Sequence, residues 1–541
     1  MSTSLTNQAL AARGFAYVGR DPRGWLRFEG PLLRAERLHP VEVLVDPRGQ
    51  KIPVVRLLDI PAALRPIAPH LSSDGTLCYL AEGGIVLDVF DRPGQVCACL
   101  DRAEEVFSKV LRGEMTEDLE DEFVAYWEGG PCFLDAQPGS PKPLQGVLFR
   151  PQSSTPRFAI TDDVQRTSKK LEAVNGRGSK ASVVPVRRMQ TRIPPRPMLG
   201  AWPPRTVGSL VAWQKRLDPI FGKQLDKCIA KAFRAGAAQT LILVESPKLT
   251  YGFAVHFNKV PIFARGARRH VVDRKALVRN SSVHRVACHR IDDAYVADRS
   301  NPGQGTLAGR RILLIGCGTI GGYLADLLVK SGAGTAGGEL ALADNDLMLA
   351  KNIGRHRLGF NSILRNKADA LSSELARTHP GHKVTPLPVD ALEIDLSTFD
   401  LVVDATGEEA LSHLLVKKLQ RPRFVPSLSI WIEGPGTAVR GLLRDVADAA
   451  CTRCLGEANA YPVVAGEIEK RFAGVGCEGL YVPFSITASL QAACLALEMA
   501  LDWSEARNMP RLQTRLLDLG LAKGTADLDP PRARRCPACF T

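Results

Sequence analysis

A glycine-rich turn between a short apolar strand and a helix is the feature that most restricts the fold of this chain. The turn follows the strand at 312–315 and has three glycines in the G-x-G-x-x-G spacing, Gly316, Gly318 and Gly321. Glycines so spaced let backbone amides approach a phosphate at a helix N-terminus. Asp344 and Asp346 end the next apolar segment, where a carboxylate can bind ribose hydroxyls. The segment therefore predicts a nucleotide site in an α/β fold, and alone it fits NAD(P) as well as other nucleotides.

Two cations downstream of this segment narrow the choice of nucleotide. Arg355 follows Asn352 by three residues, and Lys367 follows Asn366 directly. A dehydrogenase has no use for positive charge at these places. An enzyme that attacks the α-phosphate of ATP needs cations there, because pentavalent phosphorus and the leaving pyrophosphate gather negative charge. The order of residues therefore favours adenylate formation over hydride transfer.

This order of motifs resembles the adenylation domain of ubiquitin-activating enzymes and of their bacterial relatives ThiF and MoeB. The resemblance covers residues 290–541 and implies a doubly wound, Rossmann-like domain that uses ATP to make an acyl-adenylate on a protein's C-terminal carboxylate. It also implies that Asp344 or Asp346 holds the ribose, that Arg355 binds the phosphates, and that Lys367 acts on the α-phosphate in the transition state. The other implied ATP contacts are Gly316, Gly318, Gly321, Asn352 and Asp404.

One position departs from the family pattern. After the apolar strand at 401–403 the family usually reads D-x-T-D, whose last aspartate binds magnesium, whereas this chain has Gly407 there. Magnesium is expected with the ATP, and the nearest carboxylates are Asp404 and Glu408. The resemblance also implies a homodimer through the adenylation domain, in which Arg290 or Arg299 is either lent to the partner or simply solvated.

Four cysteines form two CxxC pairs: Cys451 with Cys454, and Cys536 with Cys539. Each CxxC turn can present two thiolates to one tetrahedral zinc ion if the fold brings the turns together. The alternative is a set of unrelated redox-active or free cysteines. ThiF- and MoeB-like enzymes carry a structural zinc with the same placement of the two pairs. Four sulfur ligands would close the coordination sphere, so the zinc is expected to be structural rather than catalytic.

Cys477 lies in the glycine-rich segment 474–479, just ahead of an apolar helix expected at 485–501. A loop of this kind can carry a thiolate to an adenylate, and in thioester-forming activating enzymes a cysteine of the corresponding region does so. The alternative is a half-buried structural cysteine.

The N-terminal third has alternating strand patterns at 41–45 and 52–58, followed by His70 and Cys78 in a loop. With helices expected at 101–112 and 120–127, this arrangement resembles a ubiquitin-conjugating enzyme, whose cysteine accepts a thioester. The Asn of the eukaryotic His-Pro-Asn motif is missing, so a backbone amide is one candidate for the oxyanion donor. We interpret Cys78 as catalytic and His70 as structural.

Composition sets the remaining limits. The 541 residues allow three or four domains, and we predict a conjugating-like domain at 1–135, a basic linker at 136–205, a bridging domain at 206–289 and the adenylation domain at 290–541. Thirteen cysteines without a signal peptide indicate a reducing cytoplasm rather than a secreted, disulfide-bonded protein. The net charge of +13 comes partly from residues 151–200, with ten basic and three acidic side chains. That segment lacks the aromatic interleaving typical of nucleic-acid binding, and no membrane segment is predicted.

A conjugating-like and an adenylating domain in one chain most resemble the fused ubiquitin-transferase-like enzymes of bacterial anti-phage CBASS operons. That resemblance implies activation of the C-terminus of the operon's nucleotidyltransferase, its transfer through thioesters on Cys477 and Cys78, and ligation to a target amine. Two alternatives stay open. One is a ThiF/MoeB-like activator of a sulfur carrier, which needs neither cysteine, and the other is a scaffold that binds ATP without catalysis.

Overall fold

The computed structural model describes residues 2–33, 38–81, 84–127, 129–137, 139–149, 157–175, 182–198, 202–258, 273–300, 302–303, 305–457, 463–464, 472–473 and 480–539. The chain forms two compact units. Residues 1–132, 143–146 and 183–289 make up the N-terminal unit, and residues 133–142, 147–182 and 290–541 make up the C-terminal unit.

The N-terminal unit begins with an antiparallel sheet covered by helices. Its elements are α1 (Ser2–Ala12), β1 (Ala16–Arg20), β2 (Leu26–Leu33), β3 (Leu38–Val45), β4 (Val54–Leu57) and α2 (Arg92–Leu111). The four strands pair in chain order, as expected from the alternating patterns. Helix α2 starts well before the predicted 101–112, because Asp91 accepts a hydrogen bond from Gly94 N and Pro93 suits the first turn.

Residues 118–190 contain α3 (Asp118–Asp121), α4 (Phe123–Trp127), β5 (Gly130–Asp135), β6 (Gln145–Phe149), β7 (Arg157–Thr161), α5 (Val164–Asn175) and β8 (Ser182–Gln190). The stretch predicted as a basic linker therefore carries three strands and a helix. The basic residues suggested a solvated linker, but two of them form structural ion pairs. Arg166 and Lys170 both contact the buried carboxylate of Asp135.

The rest of the N-terminal unit contains α6 (Val207–Leu217), α7 (Pro219–Arg234), β9 (Gln239–Glu245), β10 (Thr250–His256), α8 (Arg274–Arg279) and β11 (Ser282–Arg290). The helical stretch is divided at Asp218, which caps α7 ahead of Pro219. Trp127 donates a hydrogen bond to Gly252 O, so the predicted bridging region packs against α4 within one unit.

The C-terminal unit continues with α9 (Asp293–Ser300), β12 (Arg311–Ile315), α10 (Thr319–Lys330), β13 (Glu339–Ala343), α11 (Lys367–Thr378), β14 (Val384–Leu387), β15 (Leu401–Asp404), α12 (Glu409–Lys418), β16 (Ser427–Glu433), β17 (Ala438–Arg444), α13 (Thr452–Glu457), β18 (Phe472–Ala473), β19 (Leu480–Tyr481), α14 (Ile486–Ser504) and β20 (Leu512–Leu516). Its main sheet has the order β14-β13-β12-β15-β16-β17-β20. The first five strands pair in parallel. Strand β17 pairs antiparallel with both β16 and β20. The predicted doubly wound sheet is confirmed.

Helices cover both faces of this sheet. Helices α10, α11 and α14 pack one face, where Leu314, Leu328 and Ala496 belong to one core, and α12 packs the other face through Leu415. The apolar helix predicted at 485–501 is therefore a core element. Among the described residues, no helix combines the length and apolar character needed to cross a membrane.

Candidate functional site

A cavity of about 460 Å³ opens where the parallel strands β12, β13 and β15 end, which is where open α/β sheets bind ligands. Its lining residues come from the glycine-rich turn, the segment after β13, the start of α11, the segment after β15 and Phe484. A volume of this size suits a small-molecule ligand such as a nucleotide. The sequence thus predicted the position of the cavity and most of its chemistry.

The glycine-rich turn is shaped so that its backbone borders this cavity. Gly316 has a φ of +88°, which favours glycine, and a Cβ on Gly321 would lie 1.8 Å from the carbonyl oxygen of Gly316. A Cβ on Gly318, at the start of α10, would meet nothing within 4 Å among the described residues. Gly316 and Gly321 therefore permit the turn, and Gly318 leaves open space where a phosphate can approach the backbone.

Asp344 organises this turn as well as facing the cavity. Its two carboxylate oxygens accept hydrogen bonds from Cys317 N and Asp346 N, each at 2.8 Å. His356 supports the turn from the other side, because its Nε2 lies 2.7 Å from Cys317 O while its Nδ1 accepts a hydrogen bond from Leu358 N. Burial lowers the pKa of His356, so the neutral ring donates through Nε2. The His of the Asn-x-x-Arg-His motif is thus a structural support.

Lys367 reaches the cavity from the first residue of α11. Its Nζ lies 2.7 Å from Asp346 Oδ2, and the side chain is largely buried whereas that of Asp346 is 70% exposed. Asn366 fixes this arrangement, because its Oδ1 caps α11 through Asp369 N and its Nδ2 donates to Asp344 O. The cation is therefore held at the cavity wall by a partner that solvent can reach.

Arg355 lies beside the cavity, behind Phe484. The centre of its guanidinium is 5.1 Å from the centroid of the Phe484 ring, and Phe484 itself lines the cavity. Arg355 Nε is buried and has no hydrogen-bond partner among the described residues. Asn352 supports the turn that carries this arginine, since its Oδ1 accepts from Leu349 N and its carbonyl accepts from Arg355 N. A phosphate group would satisfy the unpaired donor.

The two carboxylates considered for magnesium differ in their surroundings. Asp404 is buried, and its oxygens accept hydrogen bonds from the backbone and hydroxyl of Thr406 and from Ser412 Oγ. Burial raises the pKa of Asp404. Glu408 is exposed and lines the cavity, as does Gly407, whose φ of +69° turns the chain there. The chemistry of a hard cation fits the exposed carboxylates Glu408 and Asp346 better than Asp404.

The four CxxC sulfurs meet in one buried cluster in the C-terminal unit. All four Sγ atoms lie within 4.8 Å of one another, and three of the separations are 3.6 to 3.7 Å. Tetrahedral zinc with bonds of about 2.3 Å requires sulfurs about 3.8 Å apart. Ala533 N donates a hydrogen bond to Cys454 Sγ at 3.5 Å, an interaction that suits a metal-bound thiolate. The geometry therefore fits a closed structural zinc site.

Cys78 is exposed in the N-terminal unit. Its backbone N donates to His70 O at 2.8 Å. The His70 ring contacts two carboxylates, with Nε2 2.9 Å from Asp118 Oδ2 and Nδ1 3.0 Å from Glu122 Oε1. Sequence analysis missed this carboxylate pair, although the i, i+4 spacing within an acidic run places both on one face of a helical segment.

The remaining predicted residues are placed as follows. Cys477 lies outside the described residues. Arg290 forms a two-pronged ion pair with Asp292 and stacks on Tyr295, whereas Arg299 is exposed. Phe484 was missed, since a single aromatic residue ahead of a helix carries no recognisable signal.

Comparisons with known proteins match two regions of the chain to known families. Residues 293–538 match the ThiF family, and residues 40–130 match prokaryotic E2 family B. The ATP-dependent ubiquitin transferase-like protein Cap2 of Pseudomonas aeruginosa is 45% identical over 537 residues, which cover 98% of both chains. The protein of the same name from Escherichia coli is 25% identical and covers 90% of this chain and 89% of its own length.

Among solved structures, E. coli MccB with ATP matches 46% of this chain and 69% of its own, with 16% identity and a TM-score of 0.34. That similarity is too low to add to what the strand order shows. The full-length relative from P. aeruginosa decides the family. This enzyme belongs to the ATP-dependent ubiquitin transferase-like Cap2 family, in which a ThiF-type adenylation domain and a ubiquitin-conjugating-like domain are joined in one chain.

Proposed function

We propose that residues 290–541 activate the C-terminal carboxylate of a partner protein. A carboxylate oxygen attacks the α-phosphorus of ATP, the new P–O bond forms, and the bond from the α-phosphorus to the bridging oxygen of pyrophosphate breaks. The observation that carries this proposal is one cavity lined by the open glycine turn, Lys367 and Phe484, with the Arg355 guanidinium stacked on the Phe484 ring. These groups supply backbone donors and cations where phosphate charge accumulates.

The geometry supports the following individual roles. The open space at Gly318 would admit a phosphate, and the unpaired Nε of Arg355 would donate to one. Asp344 or Asp346 would accept ribose hydroxyls, and Asn352 would hold the Arg355 turn. Lys367 would exchange Asp346 for the α-phosphate. Magnesium, when bound with ATP, would neutralise phosphate charge. Glu408 would hold it, together with Asp346 if Asp344 takes the ribose, and Asp404 would shape the turn.

Two cysteines would then carry the acyl group. The Cys477 thiolate attacks the carbonyl of the adenylate, a C–S bond forms, and AMP leaves. The Cys78 thiolate takes the acyl group in the same way and releases the Cys477 thiolate. An amine of the target finally attacks the Cys78 thioester, forms the amide, loses a proton and releases the Cys78 thiolate. Exposure of Cys78 supports its role, and that of Cys477 rests on its position in the sequence.

The division of labour is proposed to follow the domains predicted from sequence. Residues 1–135 would form the conjugating part and 290–541 the adenylating part, in agreement with the family matches to 40–130 and 293–538. We further propose a cytoplasmic homodimer formed through the adenylation domain, with the exposed Arg299 a better candidate than the paired Arg290 for an arginine lent to the partner. The activated protein would be a CBASS nucleotidyltransferase, as the resemblance implies.

A pyrophosphate exchange assay with two candidate substrates tests the proposal. The purified enzyme is incubated with ATP, labelled pyrophosphate and either a CBASS nucleotidyltransferase or a sulfur-carrier protein. We expect exchange and a thioester-linked protein with the nucleotidyltransferase, and loss of both when its C-terminal residue is removed. Exchange with the sulfur carrier without a thioester would favour the ThiF/MoeB-like alternative. ATP binding without exchange in either case would favour a scaffold.

A further inference from the structure

The imidazole of His70 has a carboxylate oxygen at each of its two nitrogens. Nε2 lies 2.9 Å from Asp118 Oδ2, and Nδ1 lies 3.0 Å from Glu122 Oε1. A carboxylate accepts hydrogen bonds, so the ring satisfies both contacts only as an imidazolium that donates from both nitrogens. Because neither nitrogen is left free, the ring has no lone pair with which to accept a proton.

The same carboxylates also hold the backbone at His70. Glu122 Oε2 accepts hydrogen bonds from His70 N at 3.1 Å and from the Tyr126 hydroxyl at 2.9 Å. The φ of His70 is +57°, in the left-handed region that residues other than glycine rarely adopt. Such a conformation persists only where the surroundings hold it. Glu122 provides that hold by binding both the backbone and the ring of one residue.

His70 in turn positions Cys78. The carbonyl of His70 accepts a hydrogen bond from Cys78 N at 2.8 Å. The contacts therefore run from two acidic residues of the α3–α4 segment, through a strained histidine, to the backbone of an exposed cysteine. Among the described residues, no hydrogen bond joins Asp118 or Glu122 to Cys78.

We propose that Asp118 and Glu122 are positioning residues for the Cys78 thioester, and that they act by clamping His70 in the cationic form. The inference rests on the proposed role of Cys78. It predicts that His70 is not the base that takes the proton of the attacking amine. Instead, the clamp keeps the Cys78 loop in the geometry needed to accept and release the acyl group.

The clamp should depend on pH. The hydrogen bond to Glu122 has the largest effect on the pKa of His70. It outweighs burial, which lowers this pKa, and raises it to about 9. Asp118, Glu122 and Cys78 face the ring, and Tyr126 faces Glu122. Since the folded pKa is raised above its ordinary value of about 6.5, the clamp is complete below that pH and is lost as pH rises through 9. Without Glu122, the loss should occur at a lower pH.

The experiment compares Glu122→Gln, Asp118→Asn and the control Asp121→Asn with the wild-type full-length enzyme. Asp121 belongs to the same acidic run but is exposed and pairs with Lys248. Formation of the Cys78 thioester and its discharge onto an amine are followed in single turnovers from pH 6.0 to 9.5. Each rate is divided by the wild-type rate at the same pH, which removes the ionisation of the amine. Circular dichroism confirms that each variant is folded.

We expect Glu122→Gln to slow charging or discharge about tenfold or more at pH 8.5, and threefold or less at pH 6.0, because His70 is again protonated and held by Asp118. Asp118 is less buried than Glu122, and Asp118→Asn should show the same dependence on pH. The rates of Asp121→Asn should stay within twofold of wild type at every pH. Equal defects at every pH, or a Glu122→Gln rate near wild type at pH 8.5, would overturn the inference alone. A wild-type enzyme that never charges Cys78 would overturn the proposed function and this inference with it.

Discussion

Lys367 Nζ lies 2.7 Å from Asp346 Oδ2 at the wall of the nucleotide cavity. The lysine is the first residue of α11, and the aspartate belongs to the acidic segment that follows β13. Because the carboxylate is mostly exposed, this ion pair is weak and costs little to break. It therefore keeps the cation close to the cavity and leaves it available to a phosphate.

We expect Lys367→Ala to reduce carboxylate-dependent ATP–pyrophosphate exchange by about a hundredfold to a thousandfold, the usual cost of losing one transition-state donor. The exposed Lys383, which pairs with Glu339 away from the cavity, provides the matched control Lys383→Ala. The control should keep normal exchange. Normal exchange by Lys367→Ala would remove the lysine from the proposed reaction.

Phe484 should act through Arg355. Loss of a cation–π contact costs about 0.5–2 kcal/mol, so we expect Phe484→Leu to raise the KM for ATP by about 2- to 30-fold in the exchange assay. Phe484→Trp restores an aromatic face and should recover most of the affinity. Phe360→Leu is the control, since that ring is 78% exposed. Equal KM values for the leucine and tryptophan variants would show that stacking is irrelevant.

The cysteine cluster should bind one zinc ion per chain. Cys454→Ser is expected to lose the metal and to lower Tm by about 5–10 °C, because a structural zinc contributes folding free energy. Elemental analysis and thermal unfolding measure the two effects. Cys494 is exposed outside the cluster, and Cys494→Ser should change neither. A stable, metal-free wild-type protein would contradict the zinc assignment.

Substitutions of the two remaining cysteines should block different steps of the reaction. With ATP and the partner protein, Cys477→Ala should form adenylate but no protein thioester, whereas Cys78→Ala should accumulate a thioester on Cys477 and form no amide product. Non-reducing gels separate these states, and Cys494→Ala serves as the control. If Cys477→Ala still charges Cys78, the adenylate is attacked by Cys78 directly and the proposed order is incorrect.

The parallel sheet and the cavity at its edge were predictable because their determinants are local. Three glycines at fixed spacing, an acidic pair after an apolar strand, and Lys367 at a helix start each carry their meaning within a few residues. The meeting of the four cysteines was predictable for a similar reason. A CxxC turn already brings two sulfurs close together, and only the meeting of the two turns depended on the fold.

The strands and the helix within residues 136–205 could not be predicted, because charged residues dominate the composition of that segment. Residues 136–205 looked like a linker because basic side chains dominated the composition, yet Arg166 and Lys170 are paired with the buried Asp135. Whether a cation is solvated or paired depends on acidic groups that lie distant in sequence. The linker prediction therefore failed for an electrostatic reason.

The sequence by itself determined the class of fold, the nucleotide cavity and the identity of the chemical groups, because spacing within single elements encodes them. Only the tertiary structure decided how those groups are held. Phe484 reaches Arg355 across 129 positions of sequence, and Asp118 and Glu122 reach His70 across about fifty. Such contacts form when helices and loops pack, and no local periodicity records them. The clamp that makes His70 a cation thus exists only in the folded protein.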